Sequence, residues 1–124
     1  MAHEFPCLFC DAGPQVLSNK LVYARYCDYP VSPGHILIVP FRHVADYFDT
    51  TIEEKTAIIE LIDAAKKLLD GERSPDGYNV GVNCGKAAGQ SIPHVHFHLM
   101  PRYAGDMVDP RGGVRGVIPE KQKY

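Results

Sequence analysis

The stretch that decides the fold is GQSIPHVHFHLMPR, Gly89–Arg102, which holds three of the chain's six histidines. The histidines occupy every second position, with apolar residues between and after them. Because alternate side chains of a β-strand share one face, this period predicts a half-buried strand over residues 94–100. We expect a polar face and a core face, formed respectively by His94, His96 and His98 and by Val95, Phe97 and Leu99.

Three interpretations of the histidine face follow from the residues alone. It is a solvent-exposed surface, a three-histidine zinc site, or a covalent catalytic centre in which one ring attacks and its neighbours position it. The preceding loop favours catalysis, since the absent side chains of Gly85 and Gly89 let backbone N–H groups approach phosphate oxygens. Gln90 and Ser91 add neutral hydrogen-bond donors at the end of this loop.

The elements outside this stretch predict the fold class. Alternating or β-branched runs indicate three further strands, over residues 21–27, 35–40 and 78–84. One long helical pattern lies between the second and third of these strands. Strands, one long helix and further strands favour an α+β fold with a mainly antiparallel sheet.

The long helical pattern covers Ile52–Asp70. Thr50 and Glu53 suit a capping box at its start, and Gly71 suits its end. The apolar residues recur at helical spacing, which predicts that one side of the helix packs on the sheet. This stripe consists of Ile58, Ile59, Ile62, Ala65 and Leu69.

Length and composition exclude several classes of protein. A chain of 124 residues fits one domain, and its 45% hydrophobic and 23% charged residues are typical of globular proteins. A net charge of −2 without a basic block argues against a nucleic-acid partner. No apolar run reaches the roughly 18 residues of a membrane span, and the N-terminus lacks a secretory pattern. We therefore expect a cytoplasmic protein whose four cysteines form no disulfides.

Two motifs resemble a known family. PHVHFHLM resembles the histidine-triad motif of the HIT superfamily, His-φ-His-φ-His-φ-φ with φ apolar, and PVSPGHILIVPFRHV (residues 30–44) is similar to that family's upstream signature. PRYAGD and the residues after it resemble the family's dinucleoside polyphosphate hydrolases and their bacterial relatives. The resemblance implies a single HIT-like domain over residues 1–124, with residues 104–124 as an extended C-terminal tail, and it implies a homodimer.

The resemblance also implies nucleotide chemistry at an α-phosphate. His96 is then the nucleophile that forms a nucleotidyl-histidine intermediate, His98 assists the leaving group, and His94 orients the other two rings. The positions that match the family's nucleotide or phosphate contacts are His35, Asn83, Gln90 and Ser91.

One position departs from the family pattern. The family often has an acidic residue just after its second strand that holds the ribose hydroxyls, and Cys27 stands there, with Asp28 one place later. Either the loop shifts to present Asp28, or the ribose contact is altered, because a one-residue slip reverses the face of a side chain. In the tail, Arg102, Arg111 and Arg115 are expected on a solvated surface, with polyphosphate contact as the alternative.

The substrates that the resemblance implies are diadenosine polyphosphates, hydrolysed to release AMP or ADP. Within the same chemistry, an adenosine 5'-monophosphoramidase and a dinucleoside polyphosphate phosphorylase are the alternatives. A protein of a different class would sense adenine nucleotides without turnover. The intact triad argues against a sensor, since binding alone needs no nucleophile.

Cys7 and Cys10 have the C-x-x-C spacing of a metal-ligand pair, but a single pair needs two more ligands. Burial without a metal and a redox pair are alternatives that the spacing leaves open. Superfamily members with this pair often bind zinc with two histidines, and the matching residues here are His43 and His94. The resemblance therefore implies a closed Cys₂His₂ zinc site with a structural role.

Overall fold

Short β-branched and aromatic runs of this chain pair into an antiparallel sheet of five strands in the order β1-β2-β3-β5-β4. This computed structural model describes residues 7–124. The strands are β1 (Leu17–Ser18), β2 (Val22–Tyr26), β3 (Ile36–Pro40), β4 (Gly77–Val82) and β5 (Phe97–Arg102), and the one α-helix within residues 7–124, α1, is Ile52–Arg73. The predicted α+β fold is confirmed.

Helix α1 begins with a capping box one residue later than predicted. The Thr51 side chain accepts a hydrogen bond from the Glu54 backbone, and the Glu54 side chain accepts one from the Thr51 backbone. The hydroxyl of Thr50 instead donates to the Tyr47 carbonyl of the preceding 3₁₀ helix, which Thr50 ends. Thr51 lies directly before Ile52 in the extended conformation of an N-cap residue, so its side-chain oxygen supplies the cap.

The end of α1 also differs from the prediction. The helix continues past Gly71 to Arg73, and Ser74 closes it in the left-handed conformation with φ 49°. Gly71 is exposed, and a Cβ added at this position would meet no other atom within 4 Å. A glycine inside a helix costs only about 1 kcal/mol relative to alanine, which the packing of the neighbouring turn outweighs. That turn is held by Leu69, which is fully buried.

One side of α1 and one face of the sheet form the main core. Ile59, predicted to lie in the apolar stripe, is 61% exposed, whereas Leu61 is buried. The helical period explains the correction, since Leu61 lies one turn from Ile58 on the buried side. The core consists of Ala57, Ile58, Leu61, Ala65 and Leu69 of the helix and Val22, Ala24, Ile36, Ile38 and Leu99 of the sheet.

The opposite face of the sheet packs a smaller cluster against the N-terminal segment. Tyr23, Leu37 and Val39 alternate with the core residues of their strands and contact Phe9. The Tyr23 hydroxyl donates to the Phe9 carbonyl at 2.6 Å. This contact fixes the segment that carries Cys7 and Cys10 beside the sheet.

Residues 104–124, predicted as an extended tail, contain two 3₁₀ helices, Gly113–Val117 and Pro119–Lys121. Arg115 donates to the carbonyl of Lys121, and the Gln122 side chain donates to the carbonyl of Arg111. The tail therefore folds back on itself beyond the sheet.

Residues 1–6 lie outside the described residues, and part of the expectation about a secretory pattern falls on them. Across residues 7–124, no helix combines the length and the apolar character that crossing a bilayer requires.

Candidate active site and metal centre

A cavity of about 740 Å³ opens on the sheet face that α1 does not cover. Its size is that of a small-molecule site. Six of the sequence-predicted site residues line it, from β2, β3, β4, β5 and the loops beside them: Asp28, His35, Asn83, Ser91, His96 and His98.

The ring of His96 has one nitrogen tied to the backbone. His96 Nδ1 lies 2.8 Å from the His94 carbonyl oxygen, which only accepts, so Nδ1 carries the hydrogen. The other nitrogen, Nε2, then holds a lone pair. Burial lowers the pKa of His96, against the smaller opposing effect of its bond to His94, which keeps this lone pair available at neutral pH.

His98 takes its orientation from His35 across the β3–β5 pair. The Val31 backbone N–H donates to His35 Nδ1 at 3.1 Å, so the hydrogen of His35 sits on Nε2. His35 Nε2 lies 2.9 Å from His98 Nδ1 and donates to it. The hydrogen of His98 is therefore on Nε2, the nitrogen that does not face His35.

Both rings of this pair are held neutral. Burial lowers the pKa of His35. Burial, followed by the repulsion from His96 and His35, lowers the pKa of His98 to about 4. A pair of imidazoles in this arrangement presents a hydrogen-bond donor without a positive charge.

His94 does not share the cavity face with the other two histidines. Its ring is fully buried, its Nε2 donates to the Pro40 carbonyl at 2.8 Å, and it is not among the residues that line the cavity. Strand β5 begins only at Phe97, and the preceding Val95 bonds to the Val44 carbonyl of a loop. The regular alternation of a strand therefore does not extend to His94.

The remaining nitrogen of His94 points at the cysteine pair. Cys7, Cys10, His43 and His94 bring four ligand atoms within 4.8 Å of one another. The sulfur-to-Nδ1 distances range from 3.1 Å, between Cys10 and His43, to 3.6 Å, between Cys10 and His94. A tetrahedron with Zn–S about 2.3 Å and Zn–N about 2.0 Å separates sulfur from nitrogen by about 3.5 Å. These residues fit a zinc ion.

The environment of the four-residue cluster also suits a metal. The bond from His94 Nε2 to the Pro40 carbonyl leaves Nδ1 with the lone pair that a metal needs, and histidine ligands usually donate their other ring N–H to a carbonyl or carboxylate in this way. The four described cysteines, Cys7 and Cys10 included, are free thiols. A closed set of two thiolates and two imidazoles has the composition of a structural site.

Two of the predicted residues in or beside the glycine-rich loop line the cavity, and a third stabilises the loop. Asn83 and Ser91 line the cavity. Gln90 does not: its Oε1 accepts from the Gly85 N–H, and its Nε2 donates to the carbonyls of Ala45 and Ile92. The Gln90 side chain therefore holds both ends of the loop in place.

Cys27 and Asp28 both line the cavity. The Asp28 carboxylate forms an ion pair with Arg25, at 3.3 Å. The sequence interpretation missed Arg25, although it lies on β2 two residues before Cys27, and both residues line the cavity. It also missed Phe9 and the tail residue Gly113, which line the cavity, and their positions carried no periodic signal. The tail arginines Arg102, Arg111 and Arg115 are not among the lining residues.

Comparison with known proteins agrees with this fold. Residues 13–105 match the sequence model of the HIT domain. The chain therefore belongs to the HIT domain family.

Two relatives and one solved structure are similar over most of this chain. A Mycobacterium tuberculosis protein named AP-4-A phosphorylase is 38% identical over 120 residues, which are 94% of this chain and 61% of that protein. A Saccharomyces cerevisiae bis(5'-adenosyl)-triphosphatase is 35% identical over 95 residues, 73% of this chain and 46% of that protein. The chain thus spans at most about three fifths of these curated relatives. A zinc-bound histidine triad family protein from Mycobacterium smegmatis has a TM-score of 0.74 at 28% identity, covering 84% of this chain and 80% of that one.

Proposed function

We propose that this chain is a HIT enzyme that cleaves diadenosine polyphosphates at an α-phosphate through a nucleotidyl-histidine intermediate on His96. The observation that carries the proposal is the bond from His96 Nδ1 to the His94 carbonyl, because it leaves the Nε2 lone pair of a cavity-lining ring available for attack. The names of the two relatives, a phosphorylase and a triphosphatase of adenosine polyphosphates, support this substrate class.

The first step forms one bond and breaks another. His96 Nε2 attacks the α-phosphorus and forms a P–N bond, while the bond from phosphorus to the bridging oxygen breaks and its electron pair leaves on that oxygen. His98 Nε2–H donates to the departing oxygen, and His35 keeps the ring turned for this contact. An acceptor then attacks phosphorus, the P–N bond breaks, and His96 regains its lone pair.

The other predicted residues bind or position the nucleotide. Asn83 and Ser91 line the cavity and offer neutral donors to phosphate oxygens. Asp28 contacts the nucleoside from the cavity rim. Gln90 contributes by fixing the loop through its bonds to Gly85 and Ala45.

We propose that Cys7, Cys10, His43 and His94 hold a structural zinc ion. The sulfur and nitrogen spacing of the cluster supports this assignment, as does the zinc-bound relative from Mycobacterium smegmatis. When bound, zinc supplies a rigid cross-link rather than a reactive centre. His94 transmits that rigidity, since its ring belongs to the cluster and its carbonyl holds His96.

Rapid-quench labelling tests the catalytic proposal. Diadenosine tetraphosphate carrying ³²P at the α-phosphate should label the protein, with an acid-labile and base-stable bond. His96→Ala should lose the label and reduce kcat/KM by about 10³-fold or more, with an unchanged circular dichroism spectrum. Turnover within about tenfold of the parent would remove His96 from this role. Saturable binding without label would indicate a nucleotide sensor instead.

The similarity to a protein named phosphorylase favours phosphate as a second candidate acceptor. Water converts the adenylyl-histidine to AMP, and inorganic phosphate converts it to ADP. Product chromatography with and without phosphate distinguishes the two activities. An adenylate joined to an amine, used as a third substrate, measures phosphoramidase activity in the same assay.

We also propose the domain organisation, the cellular location and the oligomeric state of this protein. Residues 1–124 form one HIT domain with a C-terminal tail over residues 104–124, the protein acts in the cytoplasm, and it forms a homodimer. Strand β4 supports the dimer, because it lies at the edge of the sheet and pairs on one side with β5. An unpaired strand edge is a ready surface for a second chain. Light scattering after size exclusion measures the oligomeric state, and a monomer at micromolar concentration would contradict it.

A further inference from the structure

The cavity contains one charged pair in an otherwise apolar and neutral polar wall. Among the described residues that line it, Arg25 and Asp28 are the basic and the acidic side chain, and they form an ion pair. The side chain of Arg25 is only 13% exposed. Burying a guanidinium against an apolar wall costs free energy unless the charge is paired and hydrogen-bonded. An arginine at this position therefore suggests a function in ligand binding.

The distance from Arg25 to the histidines that line the cavity is about the length of a nucleoside. It pairs with Leu37 of β3, and Leu37 pairs with His98 of β5, so the three share one row on the cavity face. Neighbouring strands are about 4.8 Å apart, which places the backbones of Arg25 and His98 about 10 Å apart. A nucleotide whose α-phosphate sits at the histidines therefore extends its base toward Arg25.

The ring of Phe9 lies close to both His96 and Arg25. The buried ring of Phe9 lies 4.8 Å from the ring of His96, and the Arg25 guanidinium lies over Phe9 at 5.8 Å. Phe9 is itself part of the cavity lining. The wall between the histidines and the charged pair is therefore apolar and suits a flat base.

The pair presents a donor beside an acceptor. Arg25 Nη2 donates to Asp28 Oδ2 at 3.3 Å, and a guanidinium has five N–H donors, so others remain for a ligand. The Asp28 carboxylate is 59% exposed and accepts several hydrogen bonds at once. Adenine carries the complementary pattern on one edge, with N7 as an acceptor and the N6 amino group as a donor.

We propose that Arg25 and Asp28 read the base, with Arg25 donating to adenine N7 and the Asp28 carboxylate accepting from the N6 amino group. Guanine fits this pair poorly, since its N7 and O6 are both acceptors and O6 would face the carboxylate. The proposal rests on the proposed function, because it assumes a nucleotide at the histidines. It assigns to two residues of this cavity the preference for adenine over guanine.

The experiment compares substrates that differ only in the base. The kcat/KM values of diadenosine tetraphosphate, diguanosine tetraphosphate and the 7-deazaadenosine analogue are measured with the parent, Arg25→Met and Asp28→Asn. The control is Asp109→Asn, because Asp109 pairs with Arg111 outside the cavity lining. Equilibrium binding of AMP and GMP to the same four proteins gives a second readout that needs no turnover.

The parent should prefer adenine by about tenfold or more. Asp28→Asn should abolish or reverse this preference, since the amide offers a donor to guanine O6. Arg25→Met should lose about tenfold on the adenine substrate and nothing further on the 7-deaza analogue, which lacks N7. Asp109→Asn should keep the parental preference.

Equal use of adenine and guanine by the parent would overturn the proposal. So would an equal loss on diadenosine tetraphosphate and on its 7-deazaadenosine analogue in Arg25→Met, because a loss that does not depend on N7 would place the guanidinium on another part of the substrate, such as the polyphosphate. Either outcome leaves the His96-dependent turnover intact and therefore spares the proposed function. If no substrate labels the parent, the proposed function fails, and the ratio of AMP to GMP binding still decides the role of the pair.

Discussion

At the scale of single residues, each triad histidine has one nitrogen bonded to a fixed partner. His94 is bonded to Pro40, His96 to the carbonyl of His94, and His98 to His35. Because each bond assigns the hydrogen to one nitrogen, the other nitrogen is left with a defined role. Three chemically identical side chains thereby suit the three proposed roles of metal ligand, nucleophile and hydrogen-bond donor.

The buried pair of His35 and His98 should stay neutral in mild acid. Burial and the neighbouring rings His96 and His35 bring the pKa of His98 to about 4, below the value of about 6.5 in an unfolded chain. The ring proton signals of His98 should therefore not shift between pH 7.5 and 5.5 in an NMR titration. A titration of His98 centred near pH 6.5 would contradict the buried arrangement.

The lowered pKa of His98 also makes the stability of the fold depend on pH. Since the folded pKa is lower, the unfolded state binds more protons between pH 6.5 and 4, and stability falls as the pH falls through that window. His98→Asn, which keeps an acceptor for His35, should flatten the dependence of Tm on pH. The comparison uses metal-loaded protein and stops at pH 5.5, where loss of the metal from its thiolates does not obscure it.

At the scale of elements, the spacing of apolar residues predicted the face on which a strand side chain lies better than it predicted the residue at which an element ends. Leu99 and Phe97 pack toward the helix, as the alternation of β5 predicts. The start of α1 at Ile52 agrees with the prediction, but its capping box uses Thr51 and Glu54, and its end lies past Gly71, at Arg73. This end depends on the packing of Leu69 in the main core, which the local pattern does not contain.

The face assignment of β5 has a direct test in Phe97. This ring packs against the main core and edge-on against Tyr47, at 5.4 Å between ring centres. Phe97→Ala should lower the free energy of unfolding by about 3 kcal/mol, as for other large truncations in a core. The matched control is Phe48→Ala, whose ring is 73% exposed and should cost less than about 1 kcal/mol. Urea denaturation measures both, and equal midpoints would reverse the face assignment.

At the scale of the whole molecule, the four-residue cluster ties together segments that are distant in sequence. Cys7 lies 36 residues from His43 and 87 residues from His94. A metal bound there joins the N-terminal segment, the loop after β3 and the residues before β5. The same cross-link holds Phe9, a wall of the cavity, beside the sheet.

Removing the metal should therefore loosen the whole domain. Chelation, or the double variant Cys7→Ser/Cys10→Ser, should lower Tm by about 5 °C or more and remove about one zinc per chain in elemental analysis. The control is Cys84→Ser, since Cys84 is not a member of the cluster. Zinc that persists in the double variant would place the metal on other histidines.

The period of two residues in β5 and the helical period of α1 were enough to predict the α+β class and the core face of β5. The family resemblance, rather than any period, indicated Asp28, His35, Asn83 and Ser91, which line the cavity with His96 and His98. The three-dimensional contacts were needed to show that His94 lies off the cavity face and that Arg25 and Phe9 line the cavity. The physical reason is that these placements depend on contacts between residues far apart in the chain. Strand β5, for example, begins only at Phe97, and the Val95 backbone N–H before it donates to the Val44 carbonyl of a loop. No local spacing in the sequence encodes this hydrogen bond.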